Sequence, residues 1–386
     1  MAWLMVKAKV DWMRIAVLNR TFSKTGGGAE SYSVNLVQEL SRHHEVHVFC
    51  QSTDEPVAGV TYHHVPHISD KPRWLNQLLF AVASWWMTRR GFVVHAHENT
   101  WHGQVHTIHV RPTRYNLFHG RTGWRLALRW LKVFSSPRLM TYLWLEGARF
   151  KPGKTVVATS EALAQECRAV YPGVAIQVVT PGVRLPQARL SQQEARSQLG
   201  LPQNVQQDVP LVLFVANDYA RKGLDTLLSS LQQLPGVHLA VVGSRNPQAE
   251  FQAKAQKLGL QDRVHFLGPL KDVSPAYQAA NVLAHPTLED TFAMVVLEAM
   301  ANSLPVVVSG PKFCGISAQL VHGQHALLLD DPKDASALAK HLAELLKETS
   351  LVQHITKEGL AFAAQHTWMT AAKAYEADLS QHLRTS

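Results

Sequence analysis

Residues His285 to Gly310 read HPTLEDTFAMVVLEAMANSLPVVVSG, and this stretch decides the fold. A polar loop holding Thr287, Glu289, Asp290 and Thr291 opens an apolar helix over Phe292 to Ala301, and Pro305 to Ser309 (PVVVS) follows as a β-branched run. Val282 to His285 precedes the loop as another strand, so the order is strand, loop, helix, strand, the repeating unit of a parallel α/β sheet. Glu298 is the sole charge on that helix. Burying a carboxylate among apolar side chains is expensive unless something polar receives it, so Glu298 is read as a ligand contact, with a core ion pair or a helix facing solvent on one side as the plainer alternative. Asp290 suits a helix N-cap as well as a ligand contact. The helix start over Phe292, Ala293, Met294 and Val295 offers backbone N–H groups and a positive dipole end, suited to a phosphate.

Working outward, the same unit recurs. Leu211–Phe214, Val237–Val242, Val264–Phe266 and Ala326–Leu329 are further strand candidates, mostly separated by helical patterns. Upstream of the polar stretch Gln187 to Gln207, Met13–Asn19, Glu45–Phe49, Phe92–His95, Val105–Ile108 and Thr155–Ala158 form a second series, the first of them running into Gly26, Gly27 and Gly28. The sequence therefore predicts two Rossmann-like α/β domains facing across a cleft. The expected bounds are 1–185 and 186–365, with a helix over 366–386 crossing back to the first domain. Ligands of such sheets bind beyond the C-terminal strand ends.

Composition narrows the function classes. The 386 residues are 46% hydrophobic and 17% charged, which excludes a disordered or collagen-like chain. Cys50, Cys167 and Cys314 are odd in number and far apart, so neither a disulfide framework nor a zinc site is expected, and a reducing compartment fits. The longest apolar run, Leu78 to Met87, is well short of the about 20 residues that cross a bilayer, and Met1 to Asp11 shows no signal-peptide pattern. The net charge of +9 is unevenly placed: residues 1–185 hold 22 Lys and Arg against 11 Asp and Glu, and the remainder is slightly acidic.

Asp290 and Glu298, separated by seven residues and followed by Ala-Met-Ala and Leu-Pro-Val-Val, resemble the E-x7-E motif of family 4 glycosyltransferases, retaining enzymes of the GT-B fold. The glycine loop, Thr180-Pro181-Gly182-Val183, Ala220-Arg221-Lys222-Gly223, Phe266-Leu267-Gly268 and Val321 to Pro332 match in the same order, over about residues 13 to 380. Bacterial lipopolysaccharide core glucosyltransferases are the most similar in overall look. The resemblance implies that Glu298 holds the ribose hydroxyls of the nucleotide and that Asp290 approaches the donor sugar. Arg221 and Lys222 would neutralise the diphosphate, and Gly268 would lie by the base. Gly27 and Gly28 would let backbone approach the donor or acceptor, and His109 would face the sugar. Asp290-Thr291-Phe292-Ala293 stands where the family usually has Glu-Gly-Phe-Gly, and Ser303 stands where glycine is common, so the donor sugar is the less determined part. No metal or other cofactor is implied, because cations and a helix dipole neutralise the phosphates. The favoured donor is UDP-glucose, with UDP-N-acetylglucosamine, UDP-galactose and GDP-mannose open. A nucleotide-sugar 2-epimerase of the same fold, or a non-catalytic nucleotide-sugar-binding protein, is the alternative.

Between Arg111 and Lys151 lie nine Lys or Arg and one acid, Glu146, interleaved with aromatic residues. Arg121, Arg125 and Arg129 recur every four residues beside Trp124, Trp130 and Lys132, the pattern of a basic amphipathic helix on an anionic membrane face. A cationic helix pair with ordinary core aromatics is the plainer reading. Nucleic acid is the competing partner, and it is set aside because no nucleic-acid motif accompanies the segment. The expectation is a monomer, peripheral on the cytoplasmic face of the inner membrane, acting on a lipid-linked or lipopolysaccharide glycan.

Overall fold

The computed structural model describes residues 12–23, 28–54, 56–67, 71–205, 209–246 and 248–383. The chain divides into two compact units, one running to Pro181 and resuming at Trp368, the other spanning Gly182–Thr367. The first unit holds β1 (Arg14–Leu18), β2 (Thr21–Phe22), α1 (Gly28–Leu40), β3 (Glu45–Cys50), β4 (Ser52–Thr53), β5 (Thr61–His64), α2 (Arg73–Thr88), β6 (Val93–Ala96), β7 (Val105–Ile108), α3 (Thr113–Phe118), α4 (Gly123–Phe134), α5 (Pro137–Arg149), β8 (Thr155–Ala158), α6 (Glu161–Val170) and β9 (Ile176–Val178). Its sheet runs β5-β3-β1-β6-β7-β8-β9 with every pair parallel. Strands covered on both faces become continuous apolar runs, as in Ile15 to Leu18, all fully buried. The two edge strands, β5 and β9, escape a search for such runs because edge positions keep polar, exposed residues, Thr61 and Gln177 among them.

The second unit holds α7 (Gln192–Gln198), β10 (Leu211–Val215), α8 (Leu224–Leu231), β11 (His238–Val242), α9 (Gln248–Lys257), β12 (Val264–Gly268), α10 (Ser274–Ala279), β13 (Val282–His285), α11 (Met294–Ala301), β14 (Val306–Ser309), β15 (Leu327–Leu329), α12 (Ala335–Lys347) and α13 (Thr349–Gln365). Its parallel sheet runs β12-β11-β10-β13-β14-β15. Along β10 the alternation is visible: Leu211 and Leu213 join the core under α11 and α13, while Val212 and Phe214 join the core under α8 and α12. Strand order reverses between β10 and β13, and the loops beyond their C-terminal ends therefore meet at a topological switch point.

The change of unit falls at Pro181/Gly182, four residues before the expected 185/186. Val183 N–H donates to His366 O at 2.8 Å, which ties this segment to the second unit. The polar stretch itself is anchored there by Arg196, 1% exposed, whose guanidinium donates to Ala279 O, Val205 O and Asn281 Oδ1 at 2.9, 3.0 and 3.0 Å. The last helix, α14 (Trp368–Leu383), packs on α1 of the first unit, with Tyr32 edge-on to Trp368 at 5.1 Å and its hydroxyl 2.8 Å from that of Tyr375.

Candidate active site

At the switch point of the second unit the chain after β10 carries Asp218, Arg221 and Lys222, and the chain after β13 carries Thr287 to Ala293. Two glycines make the approach of these backbones feasible. Gly223 has φ +84°, and a Cβ there would sit 1.9 Å from Pro286 O. Gly243 has φ +138°, and its Cβ would sit 1.7 Å from Ala216 O. Backbone bonds then lock the loops: Leu288 N–H donates to Arg221 O at 2.9 Å, and Asp290 N–H to Phe313 O at 2.8 Å.

Asp290 is the hub of this region. Lys222 Nζ lies 2.5 Å from Asp290 Oδ2 and also donates to Glu289 O at 3.0 Å, and His285 Nε2 lies 3.1 Å from the same Oδ2. The other oxygen, Oδ1, accepts from Phe292 N–H at 3.3 Å and Ala293 N–H at 2.9 Å. Burial opposes the charge on Asp290, but hydrogen bonding and electrostatic attraction from His285 and then Lys222 outweigh it and hold the carboxyl below its usual range. Sequence spacing had placed the phosphate-facing helix start at Phe292 to Val295. In the structure α11 begins at Met294, and the Phe292 and Ala293 N–H groups are taken by Asp290, so only Met294 and Val295 carry first-turn N–H groups of the helix.

Arg221 and Lys222 are adjacent in sequence but differ in setting. Arg221 pairs with Asp218 at 3.3 Å with both side chains about half exposed, an interaction of little energetic weight. Lys222 and Asp290 are only 15% and 14% exposed, so this is the built-in pair. Eight residues after Asp290, Glu298 is partly buried on α11 and accepts from Tyr277 Oη at 2.7 Å. Burial raises the Glu298 pKa, and the Tyr277 hydrogen bond offsets part of that rise. Thr291 is partly buried beside the Asp290 loop. Gly268 ends β12 with φ +72°, accepts from Gly243 N–H at 3.0 Å, and lies under Arg245. Tyr277, His285 and Arg245 are thus site residues that sequence reading missed. Only the three-dimensional neighbours Glu298, Asp290 and Gly268 single them out.

Ala293 and Ser303 have φ +74° and +60°, the left-handed region that favours glycine. Both are among the positions at which the sequence departs from a glycine pattern, Thr291 being the third. Left-handed strain of about 1–2 kcal/mol exceeds the extra chain entropy of glycine. Ala293→Gly should accordingly raise the melting temperature, by up to about 1 kcal/mol of stability; a lower melting temperature would refute the strain.

In the first unit Gly28 opens α1, where an added Cβ would meet open space, whereas Gly26 and Gly27 lie outside the described residues. His109 follows β7. Its Nε2 is 2.8 Å from His97 Nδ1, and its ring stacks on His97 and meets Tyr32 edge-on. Burial, with help from nearby Arg149, pushes its pKa down to about 3, so the ring is neutral. No group of three or more His, Cys, Asp or Glu suited to a metal ion is found among the described residues.

On the same unit, α4 buries only Val133 and exposes Trp124, Leu128, Leu131 and Phe134. Arg125, Arg129 and Lys132 line a shallow depression together with Arg121. The sequence placed Arg121 on the same helix as Arg125 and Arg129. It instead precedes α4 and donates to Asn116 O and Leu117 O at 2.7 and 2.5 Å, closing the end of α3, because residues 119–122, with Gly120 at φ +70°, separate the two helices. Trp130 stacks between Phe118 and Phe134, at 4.6 and 5.7 Å. No helix among the described residues is long and apolar enough to cross a membrane.

Comparison with known proteins agrees with this architecture. Residues 26–186 match the family described as Glycosyltransferase Family 4, and residues 199–361 match Glycosyl transferases group 1. A D-inositol 3-phosphate glycosyltransferase of Xylanimonas cellulosilytica is 28% identical over 394 residues, covering 90% of each chain. The lipopolysaccharide glucosyltransferase WaaG of Escherichia coli is 29% identical over 226 residues, 55% of this chain and 59% of that one. A crystal structure of WaaG superposes with a TM-score of 0.79 at 20% identity, covering 94% of this chain and 98% of the other. Anabaena HepE in complex with UDP-glucose superposes with a TM-score of 0.72 at 20% identity, covering 97% and 100%. Two parallel sheets, a switch-point cation held by the first acid of the motif, and matches that span both units make this chain a glycosyltransferase of the GT-B fold, belonging to glycosyltransferase family 4 and glycosyl transferases group 1.

Proposed function

We propose that the chain is a retaining hexosyltransferase that moves glucose from UDP-glucose to a membrane-held glycan, such as the lipopolysaccharide core, at the cytoplasmic face of the inner membrane. The carrying observation is the buried Lys222–Asp290–His285 network at the switch point. Loss of a nucleoside diphosphate concentrates negative charge on the leaving oxygens, and a cation already fixed there lowers the barrier without reorganisation. Lys222 is that cation, Arg221 assists from the surface, and the first-turn N–H groups of Met294 and Val295 add the positive end of α11. These groups do the neutralising, and no metal is needed. Both Asp290 oxygens are engaged by two donors each, so Asp290 acts as a positioning residue for Lys222 in place of the sugar contact that the family resemblance implied. Glu298, held by Tyr277, accepts from the ribose hydroxyls. His109 presents a neutral imidazole to a sugar hydroxyl. Transfer proceeds on one face of the sugar, the departing phosphate oxygen accepting the proton of the acceptor hydroxyl. HepE bound to UDP-glucose supports the donor, and the likeness to WaaG supports the acceptor class.

The α4 face, with Trp124 69% exposed and Arg125, Arg129 and Lys132 beside it, docks on anionic lipid and brings the enzyme to its acceptor. The test is donor hydrolysis with UDP-glucose. Asp290→Asn keeps the acceptor for the Phe292 and Ala293 N–H groups but removes the charge that holds Lys222, and Glu298→Gln turns one of the two acceptor oxygens into an N–H donor, so the side chain no longer accepts from both Tyr277 and the ribose. Turnover should fall about 100-fold or more in the first, and the donor KM should rise about tenfold in the second. Full turnover in both variants would sink the assignment. UDP-glucose at 100 times its dissociation constant should also stabilise the wild type by about 2.7 kcal/mol.

A further inference from the structure

The apolar run Leu78 to Met87 has found no role in the transfer chemistry. It forms the second half of α2, and only part of it is buried: Phe80, Ala81 and Ser84 face the core, whereas Val82, Trp85 and Trp86 are exposed, Trp86 at 62%. Ring contacts continue the strip across the surface. Trp85 lies 6.4 Å from Trp101, and Trp101 lies 5.6 Å from Trp144 of α5, which is itself exposed together with Met140 one turn earlier. Arg89 sits over the Trp86 ring at 5.1 Å, and Arg90 is exposed beside it. The strip lies at the edge where α2 ends and β6 begins, the N-terminal strand edge. That edge is opposite to the one at which α/β sheets hold their substrates, so a second substrate site is a poor explanation.

The segment that carries the strip is rich in one sign of charge. From Lys71 to Lys154 there are 14 Lys and Arg and two acids, Glu98 and Glu146, and of these cations Arg149 is buried and Arg111 is paired with Glu166. Both acids are engaged within the fold: Glu98 with Arg20 at 3.1 Å, and Glu146 with the Thr113 and Arg114 N–H groups and the Tyr171 hydroxyl. Tryptophan prefers the boundary between hydrocarbon and headgroups, and Lys and Arg prefer anionic headgroups. A second copy of the chain would set Arg89 and Arg90 against their own kind and is disfavoured by like charge.

We propose that Trp85, Trp86 and Trp144, with Arg89 and Arg90, form a second contact with an anionic bilayer, so that the first unit seats on lipid through the α2–α5 face as well as through α4. The occupant is the lipid surface itself. The inference rests on the membrane reading given above, and two contacts in place of one would fix the orientation of the unit on the membrane, because a single amphipathic helix leaves rotation about its own axis free.

Flotation with phosphatidylglycerol/phosphatidylcholine vesicles, using the full chain, tests it. The double variants Trp85→Ser/Trp86→Ser and Arg89→Glu/Arg90→Glu should each lower the partition coefficient at least about tenfold with α4 intact. The effect of the second should shrink in high salt, and pure phosphatidylcholine should bind the wild type weakly. All four residues are exposed and outside the transfer site, so melting temperature and donor hydrolysis should match the wild type, and that match excludes misfolding. Undiminished partition in both variants, alongside loss of binding in Arg125→Glu/Arg129→Glu, would overturn the second contact and leave the α4 reading standing. Failure of the wild type to bind would reject both. Concentration-dependent dimers abolished by Trp85→Ser/Trp86→Ser would also overturn it, by showing that a second copy occupies the strip.

Discussion

Gly223→Ala should unfold or grossly loosen the second unit, with a loss of at least about 3 kcal/mol and no measurable donor turnover. The added methyl would meet Pro286 O at 1.9 Å, and that oxygen belongs to backbone that cannot rotate away. The residue also has φ +84°, which adds about 1 kcal/mol of strain for any side chain. The contact joins the loops after β10 and β13, so a shift that relieved it would part Lys222 from Asp290. Gly259→Ala is the matched control: it has φ +69° but nothing within 4 Å of the added methyl, so it should cost only about 1 kcal/mol. Equal melting curves for the two variants would show that the loops are not locked together as described.

Acidification should destabilise the first unit steeply between pH 7 and pH 5. His95, His97, His106 and His109 stand at or near the core of its sheet. Burial depresses the pKa of each, and neighbouring imidazoles or Arg149 push further in the same direction. His95 and His109 are taken down to about 3. A histidine whose folded pKa lies below its unfolded value of about 6.5 contributes stability that is fully present above that value and is lost as pH falls toward the folded value. At pH 5 the loss is about 2 kcal/mol for each of His95 and His109. His97 and His106 act in the same direction, and the loss is a large share of the stability of a domain. The structural consequence is local, because His95 Nε2, Thr107 Oγ1, the Tyr375 hydroxyl and the Tyr32 hydroxyl form a chain of 2.8 Å contacts joining β6, β7, α14 and α1. Thermal melts at pH 7.5, 6 and 5 should show the first unit losing stability most, and replacing His95 by Gln should flatten the slope by one imidazole's share. A melting temperature independent of pH over this range would refute the buried neutral cluster.

The interior strands were legible because parallel sheets covered on both faces need uninterrupted apolar runs, and those runs are local in sequence. Glu298 was legible because it is a lone charge in an apolar run, and Asp290, Arg221 and Lys222 because they match the order and spacing of the family motif. Edge strands β5 and β9, which are short and keep exposed residues such as Thr61 and Gln177, leave no comparable mark. Nor does Arg196, which looks like a surface cation in a polar stretch and is instead one of the most buried side chains in the second unit.

By itself the sequence determined two α/β units, the position of the motif at the end of a central strand, and the clustering of positive charge in the first unit. Tertiary structure decided which groups those residues meet. Asp290 is committed to Lys222, His285 and two backbone N–H groups, and Tyr277 reaches Glu298 from 21 residues away. Pattern is set by hydrophobic burial, which each residue expresses alone. Partnership is set by distance in the folded chain, which depends on both loops at the switch point and on the two glycines that let their backbones touch.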